Sequence, residues 1–189
     1  KIRGDGKVKV TGQLGDVMKE SVQIALTLVK SMFPEETEVL KESDLHIHVP
    51  AGAVPKDGPS AGITIVTALT SMLLNKGISP EFAMTGEVSL RGGVMPIGGL
   101  PEKLMATQRA GIKNVFIPYD NREDLEDVTE EVKAELHIIP VKRVEEVLKH
   151  TGLISEVKKN KQKKKRTCLL ICKARSFSMF HTRFEKNRR

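Results

Sequence analysis

The sequence predicts a domain of mixed α/β (α+β) class, with short strands and packed helices over residues 1–154, followed by a basic tail over residues 155–189. Within the domain, segments with the alternating apolar period of strands take turns with segments of helical period. The chain has 189 residues, of which 39% are apolar and 29% charged, so it can bury a core and does not fit a fully disordered chain. It contains only two cysteines, which favours a reducing compartment over a secreted disulfide scaffold.

Four elements are predicted in the first half of the domain. Strict alternation of apolar and polar residues indicates strands, whereas apolar residues repeated every three or four positions indicate helices. In chain order these elements are a strand at 7–10, a helix at 15–32, a strand at 45–49 and a helix at 60–75. Pro34 ends the first helix, and Gly77 followed by Pro80 ends the second. The loop at 50–59 is rich in proline and glycine.

The second half of the domain repeats this mixture of strands and helices. Its predicted elements are strands within 82–97 that turn at Arg91-Gly92-Gly93, a helix at 101–110, strands at 115–117 and 136–141, and a helix at 143–150. Pro101 suits the first turn of a helix, and Gly111 suits its end. An acidic segment at 120–135 separates the last two strands.

The positive charge of the chain is concentrated at its C-terminus. The net charge is +7, from 31 Lys and Arg against 24 Asp and Glu, and residues 155–189 contain 13 of the basic residues and two of the acidic ones. The remaining 18 basic and 22 acidic residues give the domain a net charge of −4, which argues against a basic nucleic-acid-binding domain. The like-charge block at 158–166 predicts a solvated, disordered arm. Weak contact with nucleic acid through this arm is the alternative.

Two further classes of function have little support in the sequence. No apolar run approaches the roughly 20 residues that a bilayer-spanning helix needs, so we expect no contact with a membrane. Aromatic residues make up 4% of the chain and tryptophan is absent, which argues against a stacking platform for single-stranded nucleic acid.

The segment PAGAVPKDGPSAG at 50–62 makes Ser60 a candidate nucleophile. Small residues on both sides would let a substrate backbone approach its hydroxyl closely. If a helix begins near Ser60, free backbone N–H groups such as those of Ser60 and Ala61 could stabilise the oxyanion that forms when a carbonyl is attacked. The alternative is that Ser60 only caps the helix, which is a common role for serine.

A serine nucleophile requires a base, and the domain contains four histidines: His46, His48, His137 and His150. His46 and His48 share one face of the predicted strand at 45–49. They could ligate a metal, but no third ligand at recognisable spacing accompanies them, and a polar strand face is the alternative. The sequence contains neither HExxH nor GxxxxGK[ST], so we expect no metal site and no ATP site of those kinds in this chain.

Lys103 is the other candidate base. It lies near the start of the predicted helix at 101–110, where the positive end of the helix dipole disfavours an ammonium charge. Removal from water acts in the same direction, and a neutral amine beside a serine forms a Ser-Lys dyad. The alternative is an exposed, solvated lysine.

Two long motifs resemble those of a known family. PKDGPSAG at 55–62 and TGEVSLRGGVMPIGGLPEKLMATQRAG at 85–111 closely resemble the proteolytic domain of Lon proteases of the bacterial and mitochondrial type. Shorter similar stretches occur in the order of that family: LGDVMKESVQIAL at 14–26, HIHVP at 46–50 and PVKRVEEVL at 140–148. The resemblance covers roughly residues 4–150.

The resemblance implies a Ser-Lys dyad. In the family, the serine of the PSAG motif is the nucleophile and the lysine of the EK pair is the general base, and these positions correspond to Ser60 and Lys103. Thr85 is similar to a family residue whose hydroxyl helps to hold the lysine, and Asp57 to one that can gate the site. The other residues that match family positions near the site are His46, His48 and Glu87.

The resemblance also implies the function of the full-length protein. Lon proteases degrade unfolded, damaged or regulatory proteins as homo-hexamers, and ATP and magnesium act through an upstream ATPase module, so no cofactor is implied for this chain. A bacterial cytoplasm is favoured over the mitochondrial matrix. Because the chain begins at Lys1, shortly before TGQLGD, we expect a fragment without that module and without the first strands of the domain. An inactive assembly or regulatory fragment of the same fold is the alternative.

Overall fold

A computed structural model describes residues 2–50 and 52–155. Apart from Ser155, the predicted disordered tail, and with it the alternative of nucleic-acid contact, lies outside these residues. In the described ranges the α-helices are α1 Asp16–Met32, α2 Gly62–Leu74, α3 Leu100–Arg109, α4 Glu130–Glu135 and α5 Val144–His150. The strands are β1 Ile2–Arg3, β2 Val8–Thr11, β3 Ser43–His48, β4 Phe82–Met84, β5 Glu87–Val88, β6 Val94–Met95, β7 Asn114–Pro118 and β8 His137–Val141. Two 3-10 helices span Glu36–Glu42 and Tyr119–Asp127. The predicted mixed class is confirmed.

The strands form three small sheets. In the first, β3 lies in the centre, parallel to β2 and antiparallel to β1. In the second, β7 lies in the centre and is parallel to both β4 and β8. The third is the β5–β6 hairpin. Its turn contains Gly92 at a φ of 76°, which confirms the turn predicted at Arg91-Gly92-Gly93.

The core consists of two apolar clusters on opposite sides of β7. Val22 of α1 and Ile63 of α2 are fully buried in the first cluster, and Leu104 of α3 is fully buried in the second. Successive side chains of β7 alternate between them, because Phe116 belongs to the first cluster and Ile117 to the second. The strand is therefore fixed from both faces, as is usual for a central parallel strand.

Several features of the fold differ from the sequence prediction or go beyond it. The second helix begins at Gly62 rather than residue 60, and Asn75 ends it in the left-handed conformation at a φ of 50°. Within 82–97, β5 and β6 flank the predicted turn, whereas β4 pairs with β7 across a long sequence separation. The acidic segment at 120–135 forms a 3-10 helix and α4, which places Val128 and Val132 in the second cluster. These features depend on packing between segments that are distant in the sequence, and the local period of apolar residues carries no information about such packing.

Candidate active site

Ser60 lies in the turn that joins the 50–59 loop to α2. Ala61 is the N-cap of α2, and no side chain forms a capping hydrogen bond there. The structure therefore does not give Ser60 the capping role that was its alternative. Residues 58–62 also have the G-x-S-x-G spacing of a nucleophile elbow, although here the serine follows a loop rather than a strand.

Two hydrogen bonds to its carbonyl oxygen fix the backbone of Ser60. Its carbonyl oxygen accepts from the Gly86 N–H at 2.8 Å and from the Thr85 hydroxyl at 3.3 Å. The N–H groups of Gly62 and Ile63 donate to backbone carbonyls. Those of Ser60 and Ala61 donate to no residue in the described ranges, so they remain available to a ligand.

Lys103 and Ser60 line the same pocket. Lys103 is the fourth residue of α3, and its Nζ donates to the Gly98 carbonyl oxygen at 3.0 Å. The pocket has a volume of about 300 Å³, and Thr85 is also part of its wall. The hydroxyl of Ser60 makes no hydrogen bond to Lys103 within the described residues, so proton transfer between them would require one or both side chains to rotate.

Ser60 also borders a second, wider cavity of about 480 Å³. Its other wall is the segment Pro96–Gly98, which connects β6 to α3. Ser60 thus borders both a cavity wide enough for a peptide backbone and a pocket that Lys103 also lines. This arrangement suits attack on a carbonyl with an adjacent base.

Asp57 binds the start of α1 and lines neither of the two cavities bordered by Ser60. Its Oδ1 accepts from the Met18 N–H at 2.9 Å and from the Gly58 N–H at 3.0 Å. Met18 is the third residue of α1, and its N–H group has no partner within the helix. The carboxylate therefore caps α1 from a distant part of the chain.

His46 and His48 are joined through Thr11 on the neighbouring strand. The Thr11 hydroxyl lies 2.9 Å from Nε2 of His46 and 2.8 Å from Nδ1 of His48. Both rings lie on the exposed face of β3, as alternation predicted. The described residues contain no group of three or more His, Cys, Asp or Glu side chains that could hold a metal ion. Neither histidine lines the two cavities that Ser60 borders.

Glu87 lies on β5 beside a separate small cavity of about 90 Å³. That cavity shares Pro59 with the wider one, so Glu87 is a neighbour of the site without lining either cavity at Ser60. Sequence reasoning missed two residues of this region, Thr11 and Asn121. Asn121 binds the Pro96–Gly98 segment from a 3-10 helix, and the only local signal is its position just after a strand that ends in proline.

A comparison with protein families gives a match over the whole domain. The family model of the Lon protease (S16) C-terminal proteolytic domain matches residues 1–154. The chain belongs to the Lon protease family. The resemblance predicted from the motifs around Ser60 and Lys103 is thereby confirmed. The chain is the proteolytic domain of a protease.

Curated Lon proteases of bacteria and archaea are similar to most of the chain. The Lon protease of Clostridium beijerinckii is 57% identical over 152 residues, which are 80% of this chain and 19% of that protein. The Lon protease of Methanosarcina barkeri is 53% identical over 148 residues, 77% of this chain and 18% of that protein. The Lon protease of Vibrio parahaemolyticus is 51% identical over 165 residues, 82% of this chain and 21% of that protein. The chain thus spans about a fifth of the length of these relatives. Among the described helices, none is long and apolar enough to cross a membrane.

Proposed function

We propose that this Lon proteolytic domain is a serine endopeptidase that uses Ser60 as nucleophile and Lys103 as general base. The observation on which the proposal rests is that Ser60, just before α2, and Lys103, in α3, line one pocket although they lie in distant parts of the sequence. The family match supports the same assignment, because the two long motifs contain these two residues.

Acylation would proceed by attack of the Ser60 Oγ on a peptide carbonyl carbon. Lys103, in its neutral form, accepts the hydroxyl proton as the new C–O bond forms. The resulting ammonium then gives a proton to the amide nitrogen as the C–N bond breaks, and the amine product leaves. Water attacks the remaining acyl-enzyme with Lys103 again as the base, which releases the acid and restores the serine.

The oxyanion of the tetrahedral intermediate requires donors that are fixed before the reaction. The N–H groups of Ser60 and Ala61 suit this role, because they bind no other described residue and the Ser60 peptide is fixed by Gly86 and Thr85. Loss of one such donor typically costs about 10²–10³ in kcat. The Thr85 hydroxyl would in addition help to hold Lys103, since both residues line the same pocket.

The remaining family-derived assignments act around this centre. Asp57 would gate the site through the 50–59 loop, which it ties to α1. His46, His48 and Glu87 would shape the surface beside it, since none of them borders the two cavities at Ser60.

For the full-length protein we propose ATP-dependent degradation of unfolded, damaged or regulatory proteins by a homo-hexamer in the cytoplasm. ATP and magnesium would act through an upstream ATPase module, because this sequence has no phosphate-binding GxxxxGK[ST] motif. The three relatives named above are Lon proteases, and the chain spans about a fifth of their length.

Serine labelling tests the nucleophile. A fluorophosphonate probe should phosphonylate the oxygen of Ser60 in the wild type, with loss of fluoride. Ser60→Ala should abolish this labelling while its circular dichroism stays unchanged. Ser79→Ala is the matched control, since Ser79 is an exposed serine outside both cavities. Undiminished labelling of Ser60→Ala would remove Ser60 from the role.

Peptidase activity tests the base. Lys103→Arg keeps a cation that can donate to Gly98 but cannot accept a proton near neutral pH, so turnover of an unfolded peptide should be lost. Unchanged turnover in Lys103→Arg would contradict the assignment. A wild-type chain that neither labels nor cleaves would instead favour the inactive assembly fragment.

A further inference from the structure

The Pro96–Gly98 segment beside Ser60 belongs to no strand or helix, yet its middle residue is buried. Ile97 is 9% exposed, and its backbone N–H and carbonyl have no partner in a sheet. The side-chain amide of Asn121 binds both groups: Oδ1 accepts from the Ile97 N–H at 2.9 Å, and Nδ2 donates to the Ile97 oxygen at 2.8 Å. Asn121 thus replaces the strand partner that this peptide would otherwise need.

Asn121 is itself held in one position. It is 4% exposed and lies at the start of the 3-10 helix Tyr119–Asp127, directly after β7. Its second Nδ2 hydrogen is donated to Asp124 at 2.6 Å. β7 is the central strand of the second sheet and is buried on both faces. The amide of Asn121, which follows β7, therefore holds Ile97 at a fixed place relative to this well-packed strand.

The peptide after Ile97 reaches the candidate base. The Gly98 carbonyl oxygen accepts the hydrogen bond from Lys103 Nζ at 3.0 Å, and Gly98 borders the cavity at Ser60. Gly98 has no side chain, and a Cβ built on it would meet no atom within 4 Å, so packing does not fix this peptide. Its position must come from its neighbours, of which Ile97 is anchored by Asn121.

We propose that Asn121 is a positioning residue of the protease site: it fixes the Ile97 peptide, and through Gly98 it sets where the Lys103 amine lies relative to Ser60. The proposal rests on the proposed roles of Ser60 and Lys103. It assigns Asn121 an effect on turnover beyond its contribution to stability, because an error of about 1 Å in the placement of a reacting group can cost about 10² in rate.

Three variants separate positioning from stability. Asn121→Ala removes both bonds to Ile97. The double variant Asn121→Asp with Asp124→Asn exchanges the two side-chain types, so that an amide again donates to a carboxylate between positions 121 and 124. It keeps an acceptor for the Ile97 N–H but leaves the Ile97 carbonyl without a donor. Arg122→Ala is the control, since Arg122 lies in the same 3-10 helix, donates to the Tyr119 carbonyl and does not contact Ile97.

The kinetic measurement uses the full 189-residue chain at a temperature where circular dichroism shows each variant folded. We expect kcat per folded molecule to fall about ten- to a hundredfold in Asn121→Ala and in the double variant, with KM changed by less than about threefold. The pH profile of kcat should be displaced in the same two variants. Arg122→Ala should keep both kcat and the pH profile even where it lowers the melting temperature. Wild-type kcat in folded Asn121→Ala, or an equal loss in Arg122→Ala, would overturn the proposal.

A spectroscopic measurement keeps the test independent of activity. The ¹³Cε and ¹⁵Nζ resonances of Lys103 should move in Asn121→Ala and in the double variant and stay in place in Arg122→Ala. If Asn121→Ala does not fold, the double variant decides alone. A wild-type chain without peptidase activity would count against the proposed function, whereas Lys103 resonances that do not respond to Asn121 would count against the positioning role.

Discussion

The Asp57 carboxylate accepts a hydrogen bond from the Met18 N–H at 2.9 Å, across 39 residues of sequence. The bond joins the loop that leads to Ser60 to the first turn of α1. A carboxylate at this end of a helix satisfies a free N–H group and interacts favourably with the helix dipole. Gly15, the N-cap of α1, makes room for it, since a Cβ there would lie 2.2 Å from the Asp57 Cγ.

We expect Asp57→Ala to lower the free energy of unfolding by about 1 kcal/mol, the usual value of a lost N-cap. Urea denaturation measures this change. Asp16→Ala is the matched control, because Asp16 is also an acidic residue of the first turn of α1, but its side chain is almost fully exposed. Equal losses in the two variants would show that the charge alone, and not the capping bond, stabilises α1.

Thr85→Val should reduce peptidase kcat about tenfold, equivalent to ~1.4 kcal/mol, with little loss of stability. The valine removes the hydroxyl that donates to the Ser60 carbonyl, but this oxygen keeps its bond from the Gly86 N–H. Thr64→Val is the control, since the Thr64 hydroxyl donates to the Met84 carbonyl and lines neither cavity at Ser60. Full activity in folded Thr85→Val would contradict a role for this hydroxyl.

Gly12→Ala should destabilise the fold by about 2–4 kcal/mol. Gly12 has a φ of +123°, and a Cβ there would lie 2.1 Å from the Val49 carbonyl oxygen, so both backbone strain and a clash oppose the change. Gly111→Ala retains the strain without the clash and should cost about 1 kcal/mol. Gly77→Ala has neither and should change stability by less than about 0.5 kcal/mol. Midpoints of guanidinium denaturation would rank the three, and any other order would contradict this account.

Arg143 fixes the β5–β6 hairpin, because its Nη2 donates to the Arg91 carbonyl at 2.8 Å and its guanidinium forms a two-bond ion pair with Glu145. The hydrogen bonds to Glu145 raise the pKa of Arg143 above its ordinary value, against a smaller opposing effect of burial. Since both side chains are partly exposed, Arg143→Lys should cost only about 0.2–1 kcal/mol.

The raised pKa also fixes the pH dependence of this contribution. Stability from a cation with a raised folded-state pKa is complete below its unfolded pKa and is lost only as the pH rises through the folded value, which for arginine lies beyond the working range. We therefore expect the difference in melting temperature between wild type and Arg143→Lys to stay constant from about pH 7 to pH 9, below the titration of an ordinary lysine. A difference that changes across this interval would exclude the guanidinium pair as its source.

Much of the fold is contained in local sequence patterns. Helical period, Pro34 and Gly111 correctly predicted α1 and α3, because the end signals act within a turn of the residue that they affect. The pairing of β4 with β7 was not predicted, and neither was the helical structure within 120–135. A strand partner 32 positions away, as between Phe82 and Asn114, leaves no periodic trace in either segment.

The candidate site divides in the same way. Ser60 and Lys103 were predicted because small residues around a serine and a lysine early in a helix are visible locally, and because long motifs around them are specific to one family. The partners of the other residues were not visible. Nothing around Asp57 indicates Met18, and an asparagine in a turn is typically a solvated residue, whereas Asn121 is buried against Ile97.

By itself, the sequence determined the mixed fold class, the Lon family and the two residues proposed to perform the chemistry. Only the tertiary structure decided that Ala61 rather than Ser60 is the N-cap of α2, that Lys103 binds Gly98, and that Ser60 and Lys103 line one pocket. The physical reason is that residue type and local period fix what a side chain can do and which element contains it. The meeting of two side chains depends on burial and hydrogen bonding between elements that are far apart in the chain, such as the bond between Asn121 and Ile97.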